Sequence, residues 1–527
     1  MFLYLVESGL RGGDTRFAHG TFRFVQVCRR WCEVAVGCPR IWSLWVAGAV
    51  KAWPLFKSRS KDAPLSLTWR PQLPDSERWA LMDPAIPRRT HRLDFSGTSD
   101  QLAHFLGIFD SGPPSGASSI RLQITEYDDR EPREKFARLL SSPFSKLSKL
   151  NVGNFLPDPS SPIFTTSKLT SLKLFLPYHV KGRHTLAQFS QILQRHPNLE
   201  ELDLNIGAIP LPETPETAVT FALPRLVSLR LYGTKGAILG FVDFIGMSSP
   251  LHDVVIHFDY TPGFTIPALA SAMEKIVTAY YNCQGLGYPR KIDTLTISSH
   301  EDTSHLTFDA RSRSAHTSNL EIQFGWTWAL GHGAVMEETF GLLPSDDVQE
   351  FTIDGLLLTR RMLQKMRGLS HLRLYNQGRR GIRQALDALS PGDRGASAKC
   401  TTRTLIRVHK IDELHQYSVP KLESLSVSLP EAFDDRTPLL AVLKERRDHD
   451  LGLRELVFRS CPADWDKDIL LGFREIVGVR LDSGAVADPG DDLDDKGVGE
   501  GEGSEKVYNF YDDDDVCEDY DEYTRSD

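Results

Sequence analysis

The stretch Val27–Trp42, "VCRRWCEVAVGCPRIW", places Cys28, Cys32 and Cys38 beside Trp31 and Trp42. Three thiols that close together raise two chemistries, metal binding and nucleophilic catalysis. A structural zinc site needs four ligands with paired close spacing, whereas these cysteines lie four and six apart with no fourth Cys or His nearby. A reactive thiolate needs a basic partner, and no neighbouring His supplies one. They therefore read as packing residues. His300, Glu301 and His305 in "HEDTSHLTFD" space their histidines five apart, on different faces of a helix, so the metalloprotease geometry is excluded and the segment reads as a polar loop. The glycines of "GVGEGEG" (497–503) imitate a dinucleotide loop, but no strand precedes them and their glutamates repel phosphate. There is no phosphate loop, no GxSxG elbow and no paired CxxC. The reading assigns no catalytic residue, no metal ligand and no cofactor, and expects a protein that is not an enzyme.

What remains is recognition. Nucleic acid calls for a concentrated basic patch, and "RRTHR" (88–92) and "RSRS" (311–314) are too short for one, so both read as solvated edges. Trp326 and Trp328 in "FGWTW" share one face of a strand; they are core packing or an aromatic anchor for a target protein. Among 527 residues the net charge is −9, yet Asp482–Asp527 alone carries −15, leaving +6 on the rest. That tail has too little apolar surface to offset its ordering entropy and is expected to be disordered. No apolar run approaches the roughly 20 residues that cross a bilayer, so no membrane is expected as a partner. Seven scattered cysteines are no disulfide framework, which points to a reducing cytoplasm or nucleus.

The opening stretch must be held by a helix. Phe24, Val27, Cys28, Trp31, Val34 and Ala35 fall on one apolar stripe, Arg29, Arg30 and Glu33 face away, Thr21 is a candidate cap, and Gly37 and Pro39 stop the helix. These residues carry a resemblance. "VCRRWCEVAVGCPRIWSLW" resembles the second half of an F-box, matching at Val27, Cys28, Arg29, Trp31, Ala35, Pro39, Ile41 and Trp42. "KSRSKDAPLSLTW" (57–69) resembles the segment that follows this module in a large group of fungal F-box proteins. An F-box opens with L-P-x-E and a first helix, of which "MFLYLVESGL" resembles only the end; the module looks N-terminally truncated, and an earlier natural start is expected. The resemblance implies contact with a Skp-type adaptor, and through it a cullin, on the surface around Leu3, Leu5, Val27, Cys28, Trp31, Pro39 and Trp42, some of which only hold the module together.

Beyond residue 140 the template LxxLxL recurs ten times, first residues at Leu147, Leu169, Leu199, Leu226, Leu251, Ile292, Val348, Leu369, Leu422 and Leu453. The last three positions alternate like a strand with one buried face. Helical stripes lie between copies, as in Leu186, Phe189, Ile192 and Leu193 before the breaker Pro197. Spacings run from 21 to 56 residues, so extra units or insertions are expected in the widest gaps, where "NLEIQFGWTW" alternates as a further strand. None of the copies shows a clear Asn in the turn after the strand. "THRLDF" and "SIRLQI" are earlier strands, with a stripe of Leu102, Phe105, Leu106 and Phe109 between them.

The expected fold is α/β: a short all-helical F-box module (1–56), an irregular leucine-rich-repeat-like solenoid (65–481) and a disordered acidic tail (482–527), with another α/β sheet of similar elements as the rival. The implied function is substrate recognition in a Skp-cullin-F-box ubiquitin ligase complex, directing ubiquitin-dependent degradation of an unknown target. The alternative is a non-catalytic repeat scaffold with a degenerate F-box.

Overall fold

The computed structural model describes residues 29–46, 53–69, 85–98, 116–125, 144–154, 160–175, 186–206, 221–246, 251–259, 291–300, 305–312, 319–325, 332–376, 379–390, 421–429, 437–460 and 467–481, with single positions between them. The protein is mixed α/β, and among the described residues it is built on one sheet of 17 strands. In chain order the strands are β1 (Leu44–Val46), β2 (Leu65–Trp69), β3 (Thr90–Gly97), β4 (Ser119–Ile124), β5 (Lys149–Gly153), β6 (Ser171–Phe175), β7 (Glu201–Asn205), β8 (Phe221–Ala222), β9 (Ser228–Thr234), β10 (Ile245–Gly246), β11 (Asp253–Asp259), β12 (Thr294–His300), β13 (His305–Arg311), β14 (Asn319–Gly325), β15 (Glu350–Asp354), β16 (His371–Tyr375), β17 (Ser424–Ser428), β18 (Glu455–Ser460) and β19 (Gly478–Leu481). The short β8 and β10 pair separately.

All ten template copies form strands, each beginning two residues after the first template position. Neighbours in the chain are neighbours in the sheet. From β1 to β7, on to β9 and β11, and again from β15 to β19, each strand pairs in parallel with the next. The exception fills the widest gap in the sequence spacing. There β12, β13 and β14 form an antiparallel meander, its two ends parallel to β15 and β11. Connections too short for a helical crossover leave only the antiparallel arrangement. His300 ends β12 opposite His305 at the start of β13, so the ends of the segment expected to be a polar loop belong to paired strands, while Glu301 and the rest of 301–304 lie outside the described residues.

The register keeps the template positions level. Leu150, Leu172, Leu202, Leu229 and Val254 stand side by side, as do Leu295, Phe351, Leu372, Leu425 and Leu456. All ten are at most 1% exposed. At about 1.5–3 kcal/mol per buried aliphatic side chain, this ladder is the main cohesive term. The second template position adds a backbone link. The carbonyls of Ser148, Thr170, Glu200, Val227, Asp293, Gln349, Ser370 and Glu423 each accept two consecutive amides from the next unit, at 2.7–3.2 Å. A carbonyl has two lone pairs, so one peptide group ties two units without leaving a buried donor unpaired.

Helices wall the apolar side. Within one continuous core, α6 (Leu186–Gln194) contributes Phe189, Ile192 and Leu193, α9 (Arg360–Lys365) contributes Met362 and Leu363, and α11 (Thr437–Asp448) contributes Leu439, Val442 and Leu443. To keep chain order, α1 is Arg29–Gly37, α2 Pro39–Trp42, α3 Trp53–Ser60, α4 Ala85–Arg89, α5 Pro162–Thr166, α7 Lys235–Phe244, α8 His332–Leu342, α10 Arg379–Leu389 and α12 Lys467–Arg474. Leu102, Phe105 and Phe109 of the predicted stripe are buried, with Phe105 and Phe109 edge to face at 5.8 Å.

A turn absent from the template precedes many strands. The amides of Leu147, Leu199, Leu226, Val348 and Leu369 donate to the residue three positions earlier, and those residues, Phe144, His196, Leu223, Ser345 and Met366, are buried. At the other end of the strand, Asn154 and Asn376 take left-handed φ of 66° and 48°. The Asn154 side chain donates to the Ile124 carbonyl at 2.5 Å, and that of Asn376 to Asp354 Oδ1 at 2.7 Å. The template copies show no clear Asn in the turn after the strand, yet Asn154 and Asn376 occupy it, and their short amides both tolerate the left-handed conformation and bond the preceding strands β4 and β15.

The sheet also begins earlier than residue 65. β1 pairs with β2, and Trp42 packs edge to face on Phe56 at 5.5 Å beneath the guanidinium of Arg59. Arg89, read as a solvated edge, ties this segment down by donating to Ser60 Oγ at 2.8 Å and the Ala63 carbonyl at 2.9 Å. Among the described residues no helix is long and apolar enough to cross a membrane.

Candidate protein-binding face

The two sides of the sheet differ in chemistry. Where residues 150, 152, 172, 174 and their equivalents point into the core, the alternate residues point the other way and are mostly polar and half-buried. Because the register is level, they form rows across strands. One row runs Asp94, Arg121, Asn151, Lys173, Asp203, Arg230. A second, two residues further along, runs Gln123, Gly153, Phe175, Asn205, Tyr232, His257.

Charges in the first row pair with carboxylates on neighbouring strands. Arg121 lies 3.9 Å from Asp94, Lys173 3.6 Å from Asp203, and Arg230 donates from Nε and Nη2 to Asp253 Oδ2 at 3.2 and 2.8 Å. Further along, Arg311 pairs with Asp309 at 2.5 Å and Arg373 with Glu350 at 3.9 Å. Pairs this exposed add about 0–1 kcal/mol each and hold side chains in position more than they hold the fold.

Asp203 departs from this pattern. It is 4% exposed although it lies on the polar side, and its Oδ1 has no hydrogen-bond partner. Burial pushes its carboxyl above the usual carboxylate range, Lys173 and Arg230 pull it back, and Asp253 pushes it up again. In the next row Phe175 and Tyr232 have centroids 6.3 Å apart, and Tyr232 meets His257 at 6.0 Å. Phe175 and Tyr232 come from strands two apart, a backbone separation of about 9–10 Å, so their rings lean toward one another over Asn205. Near the last strands Arg459 lies over Tyr375 at 4.7 Å. The arrangement offers fixed charges, hydrogen-bonding groups and aromatic surface over many strands, which is suited to a macromolecular partner.

The residues singled out in the sequence fall apart into three groups. Leu3, Leu5, Val27, Cys28, Trp326 and Trp328 lie outside the described residues, as does the acidic tail. Trp31 is on α1, which ends at Gly37 as the stop signals predict, and Pro39 opens α2 half-buried. Trp42 is 4% exposed and engaged with Phe56, so it serves packing within the chain. Val34, expected on the buried stripe, is 59% exposed, and Val36 is 37% exposed. Cys32 and Cys38 are free thiols, and no group of three or more His, Cys, Asp or Glu suited to a metal ion occurs among the described residues. The rows around Asp203 were invisible in the sequence because "LEELDL" and "LVSLRL" show only that Asp203 and Arg230 are polar positions of strands; the level register makes them neighbours.

No protein-family model matches this chain, and no curated protein matches it either.

Proposed function

We propose that the chain is the substrate-recognition subunit of a Skp-cullin-F-box type ubiquitin ligase. In this reading an F-box module at the N-terminus holds the Skp-type adaptor and through it a cullin. A leucine-rich-repeat-like solenoid offers its strand face to a target protein, other subunits transfer ubiquitin, and the chain itself catalyses nothing. Its place of work is the cytoplasm or nucleus.

The observation that carries the reading is the sheet order. Strands that follow one another in chain order, nearly all parallel and level in register, are what a stack of one-strand units produces. A doubly wound sheet reorders its strands at a switch point and buries both faces, leaving continuous apolar strands in place of this alternation.

The test is co-purification with a cognate Skp-type adaptor, run on this chain and on a version extended to any earlier in-frame start. Binding by either supports the receptor; folded protein that binds in neither form removes the ligase role and leaves a repeat scaffold. Trp31→Ala, by the same resemblance, abolishes both the fold of the module and adaptor binding, and a folded variant with full binding would refute the assignment.

A further inference from the structure

The strand face is not uniformly suited to all targets, and the position of Asp203 defines what it takes. Around it stand three carboxylates, Glu201, Asp203 and Asp253, against two cations, Lys173 and Arg230. Both cations are already engaged: Arg230 is committed to Asp253 Oδ2, and Lys173 Nζ lies 3.6 Å from Asp203 Oδ2. Glu201 is exposed and accepts a hydrogen bond from Ser171 at 2.8 Å. Asp203 Oδ1 is left buried with no donor. A desolvated carboxylate oxygen gains most from a charged donor, because the cost of stripping its water has already been met in the unbound protein. Lys173, whose Nζ lies 3.6 Å from Oδ2, is a flexible side chain 32% exposed, so it can swing aside for another cation at this carboxylate.

The row beside Asp203 supplies the second half of a cation site. Phe175, Tyr232 and His257 form a half-buried aromatic shelf two residues along the strands. Aromatic faces attract a guanidinium or ammonium group and pack against its methylene stem. A carboxylate deep in the face with aromatic surface next to it fits a long cationic side chain better than a small metal ion, which needs several oxygens converging on one point.

We propose that the target presents an arginine or lysine side chain here, its charged end hydrogen-bonded to Asp203 Oδ1 and its stem on the Phe175–Tyr232–His257 row. The inference rests on the reading of this face as the target-binding surface and names the chemistry of what it binds: a basic protein segment.

The test is fluorescence anisotropy of the full chain with a labelled arginine-glycine repeat peptide, and with a glutamate-glycine peptide as control. Wild type binds the arginine peptide in preference. Asp203→Asn and Tyr232→Ala each weaken binding at least about tenfold, with unchanged circular dichroism. Equal binding by wild type and both variants would assign the peptide to the acidic tail and overturn the site; so would no binding by wild type, or tighter binding of the glutamate peptide. Adaptor co-purification on the same samples reads the receptor assignment separately, since neither substitution touches α1.

Discussion

Replacing Asp203 by Asn should make the protein more stable at neutral pH. The carboxylate is 4% exposed and one of its oxygens is unpaired, a situation that costs about 1–3 kcal/mol in unmet hydrogen bonding. Against this stands one ion pair, with Lys173 at 3.6 Å, worth about 0.2–1 kcal/mol with a partner that is 32% exposed. Asn keeps the shape and still leaves a buried polar atom unpaired, so the gain comes only from removing the buried charge, less the lost pair, and a net gain of about 1 kcal/mol is expected. The gain carries a pH signature. Burial raises the folded carboxyl above its ordinary value of 3.8, so the folded state holds the proton to higher pH than the unfolded chain does. The penalty is therefore complete above the folded value and disappears as pH falls toward 3.8. Urea unfolding followed by circular dichroism at pH 7 and at about pH 4 measures both terms. A lowered midpoint for Asp203→Asn at pH 7, or a gain that persists unchanged at about pH 4, would show that the charge is compensated and remove the physical basis for a cation site.

Other outcomes follow from the same geometry. Leu229→Ala, in the middle of the level ladder and fully buried, should lower stability by about 2–5 kcal/mol in urea unfolding, whereas Val227→Ala, 41% exposed in the same strand approach, should change it by less than about 0.5 kcal/mol. His196 occupies a buried position that holds Phe, Leu, Met or Ser in other units, and burial lowers its pKa, with a backbone bond to Phe164 opposing and Arg195 adding to the shift. The unfolded chain then binds the proton first, so stability falls as pH drops below about 6.5; His196→Leu should flatten that limb of the pH-stability curve. Gly355→Ala should cost about 1–3 kcal/mol, because φ is +67° and a Cβ would stand 3.0 Å from the Ser299 carbonyl oxygen, and a thermal scan with no shift would refute that account.

The ten strands were legible because each copy of the template states its own burial pattern: an apolar residue at alternate positions can point only to one side, and a leading Leu closes the turn before it. That local code needs no knowledge of neighbours. The helices of the clearest units were legible for the same reason, Phe189, Ile192 and Leu193 being a helical stripe wherever they pack. What could not be read was anything that depends on the lateral order of units. "HEDTSHLTFD" is polar enough for a loop, and only pairing with β14 and β15 on either side makes strand of His300 and of 305–309. His196 is polar in the sequence, yet it fills an apolar position because the turn geometry of the array puts it there. Val34 obeys the helical period and is still exposed, since a stripe specifies a face and not whether anything covers it. Asp203, Lys173 and Arg230 lie about 30 residues apart along the chain and meet only because zero-shift parallel pairing stacks the same template position of successive units. Sequence determined what each unit is, through hydrophobic period and turn chemistry; tertiary structure decided which side chains stand together, because lateral register is a property of the whole array.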